Sequence, residues 1–473
     1  MQSHTFHSSV LREYDVRGVV GDTLSTADAY AVGRSFGSIV ARGGGRRVAV
    51  CYDGRLSSVE MADHVVKGLN AAGIDALRIG RGPTPMLYFS VYHLQADAGV
   101  MITGSHNPAD YNGFKMMLGG KAFFGDQIQE LGRLATIGTA AGGTAADPQT
   151  GGWAQGAGGS EDHDVRPAYL EELVAAYTTD IPLSVAWDCG NGVAGDILPA
   201  LIARLPGRHV ALNEVVDGTF PAHHPDPTVA ENLVQLQAAI RQDKLDVGIG
   251  FDGDADRIGV VDGQERIIWG DQLLALLSRD VLAERPGSTI IADVKASQVL
   301  FDEIARLGGK PLMYRTGHSL IKSKMAETGA PLAGEMSGHI FFADKYYGFD
   351  DALYVAVRFL DAVARSGQSV AALRDSLPQM VNTPEVRFEC DDTRKFQVVD
   401  EVVANLRAQG AEFSDVDGAR VSTPDGWWLV RASNTQPVLV VRCEASDQAG
   451  LDRLKAAVTD ALAPCGVTPP TDF

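Results

Sequence analysis

The sequence predicts an α/β protein built from three similar α/β domains and a smaller C-terminal α+β domain. Three observations carry that expectation. A short apolar run ending in aspartate occurs three times, further apolar strands follow in these units, and the pattern changes near Pro378. The length of 473 residues agrees, since single cores stop growing at about 250–300 residues and domains of about 100–150 are commonest.

In the first unit Val48–Tyr52 runs into Asp53-Gly54-Arg55, in the second Ser184–Trp187 runs into Asp188-Cys189-Gly190, and in the third Thr289–Ala292 runs into Asp293-Val294-Lys295. Such runs look like buried parallel strands that deliver a polar residue at their C-terminal ends. Helix-like stretches follow, as at Ser58–Ala72 and Ala296–Leu307. The second strands are Asp97–Ile102, leading into Thr103-Gly104-Ser105, and Asp246–Phe251, leading into Asp252-Gly253-Asp254. Aligned on their Asp-x-Gly starts, they place Ser105 and Asp254 at equivalent loop tips. The third unit ends less tidily, at Ala330–Ala333 before Gly334-Glu335-Met336-Ser337. Sites in α/β domains lie beyond the carboxyl ends of strands, so three such loops suit one shared cleft.

Gly138–Gly159, dense in Gly, Ala and Thr, reads as a flexible connection or surface excursion rather than core. Beyond Pro378, strands are expected at Pro384–Cys390, Ala419–Thr423, Trp427–Ala432 and Val438–Glu444, with a tight turn at Pro424-Asp425-Gly426. Helical patterns at Asp391–Gln409 and Asp447–Leu462 flank them.

Hydrophobic content of 45% and charged content of 21% are ordinary for a soluble globular protein. A net charge of −19 argues against a nucleic-acid partner, which needs basic patches. Anionic small molecules stay open, because a pocket can be locally positive on an acidic protein. Five cysteines without a Cys-x-x-Cys pair argue against a disulfide framework or zinc site, and for a reducing cytosol. Met1–Val10 has no signal-peptide pattern, and no run approaches the ~20 apolar residues of a membrane span. The expectation is a cytoplasmic protein without a membrane partner.

Four loops carry chemistry. Thr103-Gly104-Ser105-His106-Asn107-Pro108 exposes a serine just past a buried strand, with His106 and Lys115 in reach; the bland alternative is a Ser/Asn/Pro turn. Asp252-Gly253-Asp254-Ala255-Asp256-Arg257 sets three carboxylates to converge on a hard cation. An EF-hand fails, since its positions 6 and 12 would hold Arg257 and Gly263 instead of Gly and Glu. Arg257 suits a phosphate ester beside the metal. Gly334-Glu335-Met336-Ser337-Gly338-His339 alternates a carboxylate and a hydroxyl, as sugar recognition or a surface turn would. Arg431-Ala432-Ser433-Asn434-Thr435-Gln436 reads as an anion cradle or a plain hairpin loop. Tyr14, Arg17, Lys295 and His318, taken singly, read as structural residues before catalytic ones, Lys295 being the least easily dismissed.

With these loops in this order, the chain resembles the α-D-phosphohexomutase family over essentially its whole length. Met336 in the sugar loop is similar to the bacterial phosphomannomutase/phosphoglucomutase branch. The resemblance implies three similar α/β domains with mixed sheets and a final α+β domain around a central cleft. The boundaries expected are 1–160, 161–265, 266–377 and 378–473.

It also implies roles. Ser105 would carry a phosphoryl group, and Asp252, Asp254 and Asp256 would hold one Mg²⁺ together with a phosphoserine oxygen. Glu335 and Ser337 would bind sugar hydroxyls, and Arg431, Ser433, Asn434 and Thr435 the non-reacting phosphate. Tyr14, Arg17, His106, Lys115, Arg257, Lys295, His318 and His339 match cleft positions of the family, with Lys115 and His339 the candidate bases. The implied activity interconverts hexose 1- and 6-phosphates of mannose or glucose through a 1,6-bisphosphate, with glucose 1,6-bisphosphate as activator. The implied partners are phosphosugars, in a monomer or weak homo-oligomer. The alternatives are a phosphoglucosamine mutase, a sugar phosphatase using Asp252 as nucleophile, and a non-enzymatic sugar-phosphate or metal sensor.

Overall fold

The computed structural model describes residues 2–139, 151–470 and 473. Four sheets follow one another along the chain. In the first three, the expected strands pair in parallel: Arg47–Tyr52 with Ala98–Ile102, Leu183–Asp188 with Val247–Phe251, and Thr289–Asp293 with Leu332–Gly334. Each second strand then turns into an antiparallel neighbour, respectively Tyr111–Leu118, Ile258–Asp262 and Ile340–Phe342. The third unit is therefore as regular as the others, and its equivalent loop is Glu335–His339. Further parallel strands, Asp75–Arg81, Gly207–Leu212 and Lys310–Tyr314, complete the repeat beside the first strand of each unit. The sheets are mixed, as expected.

Short edge strands extend two of these sheets past the anticipated boundaries. Ser160–Asp162 pairs with Asp75–Arg81 in the first sheet, and Ile267–Ile268 pairs with Ile258–Asp262 in the second. Strands of two or three residues carry no readable alternation. The fourth sheet is antiparallel, ordered from Val381–Asn382 through Val438–Ala445, Gly426–Ala432 and Ala419–Thr423 to Phe413–Ser414, with Val386–Glu389 also on Val438–Ala445. The helices Arg394–Gln409 and Gln448–Leu462 belong to this domain. The first starts later than expected because the Asp391 carboxylate accepts from the Thr393 and Arg394 N–H groups ahead of it.

The reading of Gly138–Gly159 as flexible or surface needs correction. Residues 140–150 lie outside the described residues, but 151–159 are packed onto the first domain. The Trp153 side chain is 3% exposed, donates its indole N–H to Ser35 Oγ at 2.8 Å, and lies under the Arg34 guanidinium. A Cβ on Gly158 would meet the Ile74 carbonyl oxygen at 2.0 Å. Glycine density here marks close backbone approach rather than freedom.

One apolar core runs through the first three domains, joining Met86 and Leu87 to Trp187 and Phe251 and on to Leu273 and Leu353. The fourth domain has a separate core around Trp428 and Val441. Its apolar tie to the third is small, Val294 against Trp427 and Leu429. Three domains thus form a fixed frame, and the fourth is attached mainly through polar contacts. No helix among the described residues is long and apolar enough to cross a membrane.

Candidate active site

The loops after the repeated strands converge on one cleft, and residues of the fourth domain close it. Its lining includes Tyr14, Arg17, Ser105, His106 and Lys115 from the first domain, Arg257 from the second, and Lys295, His318, Glu335, Ser337 and His339 from the third. Arg431, Ser433, Asn434 and Thr435 line it from the fourth. Asp252, Asp254 and Asp256 lie fully buried beneath the floor. Every residue singled out from sequence is in or directly under this one cleft.

Ser105 sits at φ +51°, a left-handed conformation costly for a residue with a side chain. Arg55 holds it there. This guanidinium is buried and donates to the carbonyls of Ser105 at 2.7 Å, Asn107 at 2.6 Å and Tyr111 at 2.9 Å, and to that of Pro108. Gly104 leaves room for it, since a Cβ there would come within 2.4 Å of the Arg55 guanidinium. Arg17 adds a bond to the Gly104 carbonyl at 2.9 Å. Arg55 was readable only as the end of a strand repeat; nothing in its local sequence announces its grip on a loop fifty residues away.

Ser105 Oγ lies 3.2 Å from Asp252 Oδ2 and 3.1 Å from His106 Nδ1. Burial pushes the His106 imidazole well below its ordinary pKa, aided by the Arg257, Arg17 and Lys115 charges, so it is neutral. Asp252, Asp254 and Asp256 offer oxygens within 4.8 Å of one another. Asp252 Oδ1 accepts from the Asp256 and Arg257 N–H groups, and Asp254 Oδ2 accepts from Thr84 Oγ1 and Lys115 Nζ at 2.5 and 2.7 Å. Lys115 Nζ also donates to Asp256 Oδ2 at 2.5 Å. Asp254 Oδ1 and Asp256 Oδ1 are buried without a partner. Orphaned carboxylate oxygens are costly in the interior, and a hard cation is the group these donors fit.

At the cleft wall, Arg257 Nε donates to His339 Nε2 at 2.9 Å, and His339 Nδ1 lies 3.0 Å from Asp350 Oδ2. A guanidinium can only donate, so Nε2 bears the lone pair and the ring proton sits on Nδ1, near the Asp350 carboxylate but without hydrogen-bond geometry to it. Lys322 holds Asp350 in turn at 2.9 Å. His318 stacks on His339, with ring centres 5.3 Å apart. Glu335 Oε1 accepts from the Gly317 N–H at 2.7 Å; burial raises its pKa, and the Asp293 charge adds to that. Met336 does not line the cleft: its sulfur meets Arg442 of the fourth domain. Sequence reasoning missed Asp350, Lys322 and Thr84, none of which stands in a recognisable pattern.

At the far end, Asp417 Oδ2 takes Arg431 Nε at 3.0 Å, orienting the guanidinium from behind. Ser433 Oγ accepts from the Thr435 and Gln436 N–H groups, which shapes the loop.

Comparison with known proteins agrees with this layout. Phosphoglucomutase/phosphomannomutase family profiles match in chain order: alpha/beta/alpha domain I at residues 8–139, domain II at 167–265, domain III at 269–381 and the C-terminal domain at 385–461. The chain belongs to the phosphoglucomutase/phosphomannomutase family. A phosphomannomutase/phosphoglucomutase of Pseudomonas aeruginosa is 41% identical over 469 residues, covering 99% of this chain and 98% of that protein. A phosphoglucomutase of Neisseria gonorrhoeae is 44% identical over 448 residues, covering 94% and 95%. The crystal structure of a family protein from Burkholderia thailandensis superposes with a TM-score of 0.90 at 41% identity, covering 99% and 100%. In phosphoglucomutase/phosphomannomutase terms, domain I supplies the Ser105 loop, domain II the three aspartates, domain III Glu335 and His339, and the C-terminal domain Arg431.

Proposed function

We propose that the chain is a phosphohexomutase that interconverts hexose 1-phosphate and hexose 6-phosphate, of mannose, glucose or both, through a phosphoserine at Ser105 and a 1,6-bisphosphate. The observation that carries this reading is Ser105 Oγ lying 3.2 Å from Asp252 Oδ2, beside carboxylate oxygens that lack a partner. A nucleophile from one domain and a cation site from another meet at the cleft floor.

Asp252, Asp254 and Asp256 would hold Mg²⁺, which when bound supplies positive charge against the transferring phosphoryl group. The remaining chemistry belongs to the chain. Phosphoryl transfer needs in-line positioning and charge stabilisation more than covalent help. Arg17 and Arg257 border the serine loop as guanidinium donors for phosphoryl oxygens. The sugar hydroxyl that attacks phosphoserine must lose its proton; His339 Nε2 takes it once Arg257 Nε, which donates to that nitrogen here, turns to a phosphoryl oxygen. Lys115, the other candidate, has its ammonium between Asp254 and Asp256, so it acts in this reading as a counterion. The bond formed is sugar oxygen to phosphorus, the bond broken is Ser105 Oγ to phosphorus, and the proton goes to His339. Return of the second phosphoryl to Ser105 reverses each role. Glu335 and Ser337 hold the sugar while Arg431, Ser433, Asn434 and Thr435 hold the phosphate that is not reacting. Glucose 1,6-bisphosphate would act as activator by priming Ser105.

A coupled assay with glucose 1-phosphate, mannose 1-phosphate and glucosamine 1-phosphate tests the reading, on wild type and Ser105→Ala. Isomerisation by wild type and its near-complete loss in Ser105→Ala are the expected results. Steady release of inorganic phosphate, or full activity in Ser105→Ala, would overturn it.

A further inference from the structure

The phosphate end of the cleft contains an acid that no loop motif includes. Glu385 Oε2 accepts from Lys295 Nζ at 2.8 Å, and Glu385 Oε1 accepts from Arg387 Nε at 2.6 Å. Lys295 stands in the third domain and Glu385 with Arg387 in the fourth, so the carboxylate bridges the two. Arg387 Nη1 also donates to Gln436 Oε1 at 3.0 Å, next to Thr435. All of these side chains line the cleft. The Glu385 and Lys295 side chains are 13% and 6% exposed, so salt screens their attraction little.

Arg431 is held differently. Asp417 takes only its Nε, leaving the two terminal nitrogens to face an anion. Lys295 has one charged atom, and Glu385 is its nearest carboxylate, with Asp293 at 3.8 Å. A phosphate that uses Lys295 must share or displace Glu385.

We propose that Glu385 is an internal competitor for the sugar phosphate: its carboxylate occupies Lys295 and Arg387, and docking of the non-reacting phosphate on the fourth-domain loop displaces it. This rests on the phosphohexomutase reading, in which a bisphosphate must leave the cradle, turn round and dock again. A cradle whose cations were all free would hold either end tightly. Uniform binding of that kind deepens the ground state without lowering the barrier to transfer. Burial would raise the Glu385 carboxyl, but Lys295 and then Arg387 outweigh it and keep its pKa below the ordinary range, so the competitor is a full anion.

Glu385→Gln in the full-length protein tests this, by calorimetric titration with inorganic phosphate and with glucose 1,6-bisphosphate, alongside kcat and KM. Removing a competing, partly buried charge should tighten both ligands about three- to tenfold and lower KM, while kcat falls because release slows. The gain should vanish when Arg431→Ala is added. Unchanged or weaker binding by Glu385→Gln, or a gain that survives Arg431→Ala, would overturn the proposal. Glu385→Ala is read the same way if the glutamine variant does not fold. Wild type that binds phosphate yet isomerises no hexose phosphate would sink the phosphohexomutase reading instead, so the two failures are distinct.

Discussion

Asn434 Nδ2 donates to the Tyr14 hydroxyl at 2.8 Å, and that hydroxyl donates onward to the Thr316 carbonyl at 3.0 Å. One phenol thereby links the first, third and fourth domains. Because the fourth domain shares only a small apolar contact with the third, polar links such as this one set how the cleft closes. A domain that turns on such links would let the bound sugar reorient.

Tyr14→Phe removes both bonds but keeps the ring against His318. The Asn434 amide and the Thr316 carbonyl then need water. We expect KM for glucose 1-phosphate to rise several-fold with a smaller fall in kcat, in steady-state kinetics. A loss confined to kcat would place Tyr14 in the chemistry instead of in closure.

Arg55→Met should inactivate without touching substrate. Four carbonyls of the serine loop lose their donor; that of Ser105 is buried, where an unsatisfied group costs about 1–3 kcal/mol, while the part-buried other three can turn to water. With Asp53 also left without its guanidinium at 3.2 Å, a total of roughly 3–5 kcal/mol is expected. Thermal unfolding should show it as a clear drop in Tm, and turnover should fall at temperatures where the variant is still folded.

Chelation should abolish turnover and lower Tm, and Mg²⁺ should restore both. A ligand at 100 times its Kd stabilises by about 2.7 kcal/mol. Asp256→Asn should lose most of that metal-dependent gain. A Tm unaffected by Mg²⁺ in wild type would contradict the assignment of the three aspartates.

Asp351 gives a pH signature away from the Asp252–Asp256 loop. Burial raises its pKa to about 6, against bonds from the Tyr346 hydroxyl, the Tyr354 N–H and the Tyr169 hydroxyl. The folded value lies above the unfolded 3.8, so this group stabilises fully below the unfolded pKa and that contribution is lost as pH rises through about 6. The loss is on the order of 3 kcal/mol. Denaturant unfolding between pH 4 and pH 7 should therefore show a flatter stability profile in Asp351→Asn than in wild type.

The fold and the site were legible in the sequence to different degrees. The repeat of apolar runs ending in Asp53, Asp188 and Asp293 marked the strands, because buried parallel strands need continuous hydrophobicity whatever surrounds them. The short edge strands at Ser160 and Ile267 were invisible for the opposite reason, and the Trp153 segment was misread because glycine serves close packing as well as flexibility.

The motif loops were legible because phosphoryl chemistry needs several polar groups within one turn, and local sequence records them. Sequence alone thus determined the three-plus-one domain order, the Ser105 and Asp252–Asp256 loops, and the residue types that line the cleft. Tertiary structure alone decided that Arg55 clasps the serine loop, that Asp350 and Lys322 back His339, and that Glu385 spans Lys295 and Arg387. Those partners are single side chains far apart in the chain. Their meeting depends on sheet register and on how one domain seats against the next, and no local pattern encodes either.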